Sequence, residues 1–201
     1  MPRKPEPFVE NRIIIAATNL IRKHGINKLR VAEVARDAGT TVAMIYRRFG
    51  DRDGLIDATV AHFYEVRMHA AVERAEKLLY SKRPITVDDI LAAIPTPEYD
   101  GSEEIHQLLS RVPALALENR TFEIRIRELL AETIPVLESL MTQVVERLPE
   151  DQQFDPRIVT VFVMSQDWII NDLRGDRKVG NGEYREFVKN LMLDSRYRPR
   201  I

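Results

Sequence analysis

The stretch VAEVARDAGTTVAMIYRRFGDRDGLI, residues 31–56, decides the fold of this chain, because it has the pattern of two short helices joined by a glycine turn. Its first part carries apolar residues at the spacing that gathers them on one helical face, namely Val31, Val34, Ala35 and Ala38. Gly39 then permits a left-handed backbone, and the hydroxyl of Thr41 can cap the next helix. The stretch therefore predicts a helix-turn-helix whose second helix covers residues 42–49.

The second helix predicts which side chains face a ligand and which pack inward. Ile45 and Phe49 fall on one side, with Val42 beside them, and the other residues point outward. In a helix-turn-helix the second helix enters the major groove of DNA, where polar side chains contact bases and phosphates. The predicted DNA-binding residues from this region are Thr41, Ala43, Tyr46, Arg47 and Arg48.

A third helix begins immediately after the second. Gly50 ends the second helix, Asp51 is placed to cap the third, and Arg52 lies in the first turn. Unpaired backbone N–H groups and the helix dipole favour an anion at such a position, and a guanidinium adds positive charge. The sequence therefore predicts a phosphate contact that includes Arg52.

The charge of the chain is divided unequally. Residues 1–54 contain 11 Lys or Arg against 6 Asp or Glu, whereas residues 55–201 contain 19 against 25. A basic module attached to an acidic body is expected where only one part meets the polyanionic backbone of DNA. The chain has no cysteine, no signal-peptide core and no long apolar run, so we expect a cytoplasmic protein without membrane segments.

Helical periodicity predominates along the rest of the chain and predicts an all-α protein. We expect an N-terminal three-helix DNA-binding domain, residues 1–54, joined by a long connector helix to a larger helical domain, residues 55–201. Pro135 is expected to kink or split the longest helix. The helices predicted after residue 50 cover residues 51–80, 87–94, 102–112, 114–147, 156–174 and 183–193.

The helix at residues 156–174 is apolar on more than one face and needs burial on two sides. A second copy of the chain would cover the additional side, which predicts a homodimer formed through a four-helix bundle. A monomer with a fully buried central helix is the alternative. The predicted interface residues are Val161, Ile169, Ile170, Leu173, Phe187 and Leu191.

The segment GTTVAMIYRRFGDRDGLI, residues 39–56, resembles the turn, recognition helix and following helix start of the TetR (tetracycline-repressor) family. The positions that match the family pattern are Ile45, Tyr46, Phe49, Gly50, Arg52 and Leu55. Arg30 departs from it, since a Thr or Ser cap is usual there, and could instead reach a phosphate. Val42 and Met44 stand where polar residues are common, so these two predicted DNA-binding residues would contact thymine methyl groups.

The resemblance implies a repressor that binds pseudo-palindromic operator DNA as a homodimer and is released by a small-molecule effector, so that residues 55–201 form a helical ligand-binding and dimerisation domain. The residues do not identify this effector, and no cofactor is expected. The candidate ligand-binding residues on the connector and central helices are His62, Phe63, Val66, His106, Phe122, Phe162, Gln166 and Trp168. Most of these residue types are also ordinary core residues.

Other kinds of chemistry find little support in the sequence. It has no nucleophile elbow, glycine-rich phosphate loop or zinc-protease signature, so we expect no enzyme. His62 and His69 lie two helical turns apart, about 10 Å by helix rise, which is too far for one metal ion, and no metal site is predicted. The alternative function is a helical ligand-binding or protein-docking protein that does not read DNA specifically.

Overall fold

The fold is described from a computed structural model, which covers residues 7–94, 108–164 and 179–194. These described residues form helices and connecting turns, without a strand among them. The helices are α1 Pro7–His24, α2 Val31–Asp37, α3 Val42–Phe49, α4 Arg52–Leu79, α5 Val87–Ala93, α6 Arg111–Glu118, α7 Arg120–Glu146, α8 Arg157–Met164 and α9 Asn181–Leu193, with 3₁₀ turns at Ile26–Lys28 and Glu150–Gln152. The predicted all-α class is confirmed.

Two compact units divide the chain. The first comprises residues 7–66 and 108–127 of the described structure, and the second comprises residues 67–94, 128–164 and 179–194. Helix α4 belongs to both, and its 28 residues agree with the predicted long connector helix. The predicted domain boundary between residues 54 and 55 falls inside α4 and stays a prediction.

The first unit is built around α1, whose inward face is fully buried. Ile13, Ala17 and Ile21 follow one another at helical spacing and have no exposed surface. The helix ends at His24, where Gly25 has φ 82°, a conformation that residues with a Cβ rarely adopt. Helix α1 packs against α2, and α2 packs against α3.

The second unit has its own hydrophobic core. A capping box begins α5, because the Thr86 hydroxyl accepts a hydrogen bond from the backbone N–H of Asp89 and the Asp89 carboxylate accepts one from that of Thr86. Among the residues completely removed from solvent in this core are Ile90, Val144, Phe154, Val188 and Met192. The core thus joins α5, α7 and α9 around the turn that contains Phe154.

The longest predicted helix, residues 114–147, is divided at Asn119, and it is not split at Pro135. The chain leaves the helical path at Asn119, whose side-chain oxygen accepts hydrogen bonds from the backbone N–H groups of Thr121 (3.1 Å) and Phe122 (3.2 Å). Asn119 thereby caps α7, which continues through Pro135 to Glu146. The predicted helix over residues 102–112 lies largely outside the described residues, as does the second half of that over residues 156–174.

Candidate nucleic-acid interface

The turn between α2 and α3 has the predicted geometry. Gly39 takes φ 62°, and the backbone N–H of Thr40 donates a hydrogen bond to the carbonyl of Ala35 at 2.9 Å. The Thr41 hydroxyl then accepts a hydrogen bond from the N–H of Met44 at 3.2 Å and caps α3. The capped turn fixes where the recognition helix α3 begins, and the structure gives it the predicted range of residues 42–49.

Helix α3 has one buried side and one exposed side. Ile45 is fully buried, whereas Ala43, Tyr46 and Arg47 are exposed. Met44 is partly buried and its sulfur lies 3.0 Å from a guanidinium nitrogen of Arg47. Thr41 is also exposed and Val42 is partly exposed, so six of the predicted DNA-binding residues form one continuous surface on and beside α3.

Arg30 extends this surface at the start of α2. Its side chain is 80% exposed and makes only a loose ion pair with Glu33, at 3.8 Å. It occupies the N-cap position of α2 without giving a side-chain cap. The guanidinium is therefore exposed at a helix start that it does not cap, and its contact with a phosphate stays a prediction.

Arg48 is placed differently from the sequence-based expectation of an outward-pointing side chain. Only 12% of its side chain is exposed, and its Nη1 atom lies 3.3 Å from a carboxylate oxygen of Glu10 on α1. Its Nε atom is buried without a hydrogen-bond partner. Arg48 thus lies between α3 and α1, on the side of the recognition helix that packs.

Arg52 also differs from expectation. Its guanidinium donates to the backbone carbonyls of Leu29 (3.1 Å), Ile26 (2.8 Å) and Asn27 (3.4 Å), in the connection between α1 and α2. The predicted capping residue Asp51 accepts a hydrogen bond from the N–H of Gly54 at 2.7 Å. Asp51 therefore caps α4 as the sequence predicted, whereas the guanidinium of Arg52, for which a phosphate contact was predicted, is engaged within the protein.

Gly54 is a sterically constrained position of this region that the sequence analysis missed. A Cβ atom built on it would overlap the carbonyl oxygen of Phe49, the last residue of α3. The end of the recognition helix therefore approaches α4 so closely that only glycine fits. A glycine inside a helical pattern is the sequence signal that could have indicated this close approach.

The candidate ligand-binding residues are distributed over both units. Phe122 is buried and His62 and Phe63 are partly buried in the first unit, where Val66 is half-exposed. Phe162 in the second unit packs edge-to-face against Tyr184, with ring centroids 5.8 Å apart. The others, His106, Gln166 and Trp168, lie outside the described residues.

Two depressions in the second unit lack these candidate residues. A groove of about 400 Å³ between α5 and α9 is lined by charged and apolar side chains, including Asp88 and Lys189, which form an ion pair at 2.7 Å. A cavity of about 20 Å³ is lined by α4, α5 and α7 and has room for about one water molecule. Phe162 lines neither of them.

The carboxylate of Glu65 lies between His62 and His69 in sequence and forms an ion pair with an arginine. Arg125 donates to it through two nitrogens, at 2.7 and 3.0 Å, and His62 is 3.7 Å away. Within the described part of the chain, no group of three or more His, Cys, Asp or Glu residues is arranged to hold a metal ion.

The predicted dimer residues that the structure describes lie on α8 and α9. Val161 is 60% exposed and Phe187 is 61% exposed, and Leu191 is partly buried. Ile169, Ile170 and Leu173 lie outside the described residues. None of the described helices is both long and apolar enough to span a membrane.

The capped turn, the short recognition helix and its exposed surface define the class of helix-turn-helix DNA-binding proteins. Residues 13–59 match the model of the family described as bacterial regulatory proteins, tetR family. No curated protein matches the chain at a significant level.

Solved structures extend the similarity over almost the entire chain. A protein from Mesorhizobium loti assigned to the TetR-family transcriptional regulators is 14% identical, with 94% of this chain and 96% of that chain covered and a TM-score of 0.59. A protein from Saccharomonospora viridis assigned as a transcriptional regulator, solved with choline, is 16% identical over 94% and 98% of the two chains, with a TM-score of 0.58.

The multidrug binding protein EbrR, solved with imidazole, is 20% identical over 100% of this chain and 95% of that chain, with a TM-score of 0.55. The chain therefore has the all-helical fold of the TetR-family transcriptional regulators, and its N-terminal helix-turn-helix domain is that of the TetR family.

Proposed function

We propose that this protein is a ligand-responsive transcriptional repressor that binds pseudo-palindromic operator DNA as a homodimer. The observation that carries the proposal is the exposed surface of α3, where Tyr46 and Arg47 stand beside the capped turn at Thr41. A helix presented in this way fits the major groove, with its first residues near the base edges. The basic charge of residues 1–54 supports the same role.

The exposed residues would contact different parts of the DNA. Arg47 and Arg30 carry guanidinium groups that suit phosphates or guanine edges, and the Tyr46 hydroxyl suits a phosphate. Ala43 and Met44 offer apolar contact to thymine methyl groups, with Val42 beside them. Arg48 and Arg52, by contrast, are already engaged with partners inside the protein.

The homodimer is supported by the exposed apolar side chains of α8 and α9. Val161 and Phe187 leave apolar surface in contact with water in a single copy of the chain. A second copy of the chain that packs on α8 and α9 would cover these side chains. A dimer places two recognition helices on one operator, which is why we propose a pseudo-palindromic target.

The effector is proposed from the fold. Two structures with this fold hold a small organic molecule, choline in one and imidazole in the other. A ligand that binds better to the form of the dimer with misaligned recognition helices would lower its affinity for DNA, commonly by about 1 to 3 kcal/mol of coupling free energy.

The proposal is tested by selecting bound fragments from a random duplex pool and then measuring the affinity of the selected duplex at increasing salt concentration. We expect an inverted repeat and a steep dependence of affinity on salt concentration. Arg47→Ala should weaken binding and reduce the salt slope by about one, whereas Lys77→Ala removes an exposed positive charge outside the helix-turn-helix and should change neither. Weak binding without sequence preference would contradict the proposal and favour a ligand-binding or docking protein.

A further inference from the structure

We propose that Arg52 is a positioning residue, which holds the start of α2 and thereby the DNA-contacting Arg30, and that it does not bind a phosphate. This inference rests on the proposed function for its DNA-binding part. Its structural part rests on the contacts of one guanidinium with three backbone carbonyls.

The three carbonyls belong to the short connection between α1 and α2, which makes a single 3₁₀ turn, Ile26–Lys28. The Ile26 carbonyl also accepts the backbone N–H of Leu29 at 3.2 Å, so Arg52 adds a second donor to it. Nη2 of Arg52 lies 2.8 Å from the oxygen of Ile26, and Nε lies 3.1 Å from that of Leu29. The planar guanidinium thus bridges the beginning and the end of the turn.

The Arg52 side chain is 39% exposed, but the nitrogens of its guanidinium are already engaged. The third nitrogen, Nη1, lies 3.5 Å from a carboxylate oxygen of Asp53, so each nitrogen of Arg52 has a partner in the protein. Asp51 and Asp53 flank the arginine, and the Asp51 carboxylate already accepts the N–H of Gly54. A phosphate at this position would meet two carboxylates and would have to displace backbone carbonyls from the guanidinium.

The contact with Leu29 connects this cluster to the DNA-binding surface. Leu29 is buried and directly precedes Arg30, the N-cap residue of α2, which gives that helix no side-chain cap. Arg52 therefore fixes the backbone at a helix start that lacks the usual Ser, Thr, Asp or Asn cap. The exposed side chain of Arg30 projects from a backbone that Arg52 holds in place.

Arg52→Ala and Arg52→Lys, compared with the wild type and with Arg47→Ala, separate positioning from phosphate binding. Lysine keeps the charge that a phosphate would need but cannot bridge several carbonyls with a planar fork. We expect both Arg52 variants to lower the thermal unfolding midpoint by about 3 °C or more. At a temperature where circular dichroism shows all proteins folded, both should bind the selected duplex about five- to tenfold more weakly with an unchanged salt slope.

Three results would overturn the inference. The first is an Arg52→Lys variant with the stability and DNA affinity of the wild type. The second is an Arg52→Ala variant with unchanged stability and a salt slope reduced by about one. Either result would indicate a phosphate contact. The third is lower stability with wild-type DNA affinity in the folded variants, which removes the positioning role. If the wild type itself selects no duplex, the proposed function and the DNA role of Arg52 both fail, whereas the unfolding midpoints still decide whether Arg52 stabilises the turn.

Discussion

A guanidinium nitrogen of Arg48 lies 3.3 Å from the carboxylate of Glu10, so an ion pair between residues 38 positions apart joins the recognition helix α3 to α1. The arginine side chain is 12% exposed, and its buried Nε has no hydrogen-bond partner. The carboxylate is therefore the partner that compensates the partly buried charge in the described structure. Removal of that carboxylate leaves the charge poorly solvated.

We expect Glu10→Ala to lower the free energy of unfolding by about 1 kcal/mol, because the arginine loses its charged partner in a partly desolvated position. Urea unfolding followed by circular dichroism measures the change. Asp37→Ala is the control, since it removes the carboxylate of the exposed pair with Arg36 and should change stability by less than about 0.5 kcal/mol. Equal effects of the two substitutions would contradict a special role for the Arg48 pair.

Gly54→Ala should destabilise the protein by about 2 kcal/mol or more, because the added methyl group overlaps the backbone carbonyl of Phe49 and one of the two helices has to shift. The matched control is Gly182→Ala in α9, where an added Cβ meets no atom within 4 Å. That substitution should be neutral or stabilising by up to about 1 kcal/mol, since alanine favours helix. Thermal unfolding of the two variants compares them, and similar midpoints would argue against the close helix approach.

The stability contribution of Asp57 should decrease as the pH rises. Burial raises the pKa of this carboxyl above its ordinary value of 3.8, and the hydrogen bond from Asn119 opposes the shift only in part. The folded state then binds the proton more tightly than the unfolded state, so ionisation above the ordinary pKa costs stability. We expect Asp57→Asn to be more stable than the wild type at pH 7 and to lose this advantage near pH 3.

Thermal unfolding at both pH values tests that expectation. The control is Glu73→Gln, at an exposed position of the same helix α4. Its unfolding midpoint should stay close to that of the wild type at both pH values. If the unfolding midpoints of Asp57→Asn and the wild type differ by the same amount at both pH values, the difference does not arise from ionisation of the Asp57 carboxyl.

Asp89 should show the opposite dependence. Hydrogen bonds from Arg83 (2.5 and 2.9 Å), followed by those from Thr86, hold the pKa of this carboxyl well below its usual range. A lowered pKa stabilises the folded state above the ordinary value of 3.8, and the contribution is lost as the pH falls below it. Asp89→Asn should therefore be less stable than the wild type at pH 7, with a difference that narrows as the pH falls from 4 towards 2. A difference that grows on acidification would refute this assignment.

Phe187→Glu should convert the proposed dimer into a monomer, because it places a charge on an apolar surface that a second copy would cover. Light scattering coupled to size-exclusion chromatography gives the mass. Leu117→Glu is the control, since Leu117 is 89% exposed on α6, outside the predicted interface, and its substitution should preserve the dimer. A dimeric Phe187→Glu variant with wild-type stability would exclude this part of α9 from the interface.

The sequence predicted those parts of the fold that depend on neighbouring residues. The range of α3, the cap at Thr41 and the positive φ of Gly39 follow from local rules on hydroxyl caps, glycine and helical spacing. The break at Asn119 is also local, but an asparagine can cap a helix or point to solvent from within one, and the pattern alone does not distinguish these cases. Pro135 lies on the exposed side of α7, where a lost backbone hydrogen bond is replaced by water.

The roles of the arginines were less predictable for a different reason. A helical pattern locates the backbone position of Arg48 or Arg52, but a long flexible side chain can reach several partners from that position. The observed partners, Glu10 and the carbonyl groups near Ile26, lie more than 20 positions away in sequence. Such contacts depend on how helices pack, and helical spacing does not contain that information.

The eight residues of α3 also limit how much a single copy of the protein can read. At about 1.5 Å per residue the helix is about 12 Å long, which covers roughly four base pairs at about 3.4 Å each. A four-base-pair word recurs by chance roughly once in a few hundred positions, so one copy would meet thousands of decoy sites in a bacterial genome. Two copies acting together would contact roughly eight base pairs. A sequence of that length recurs by chance far less often, so pairing of two chains would greatly reduce the number of decoy sites.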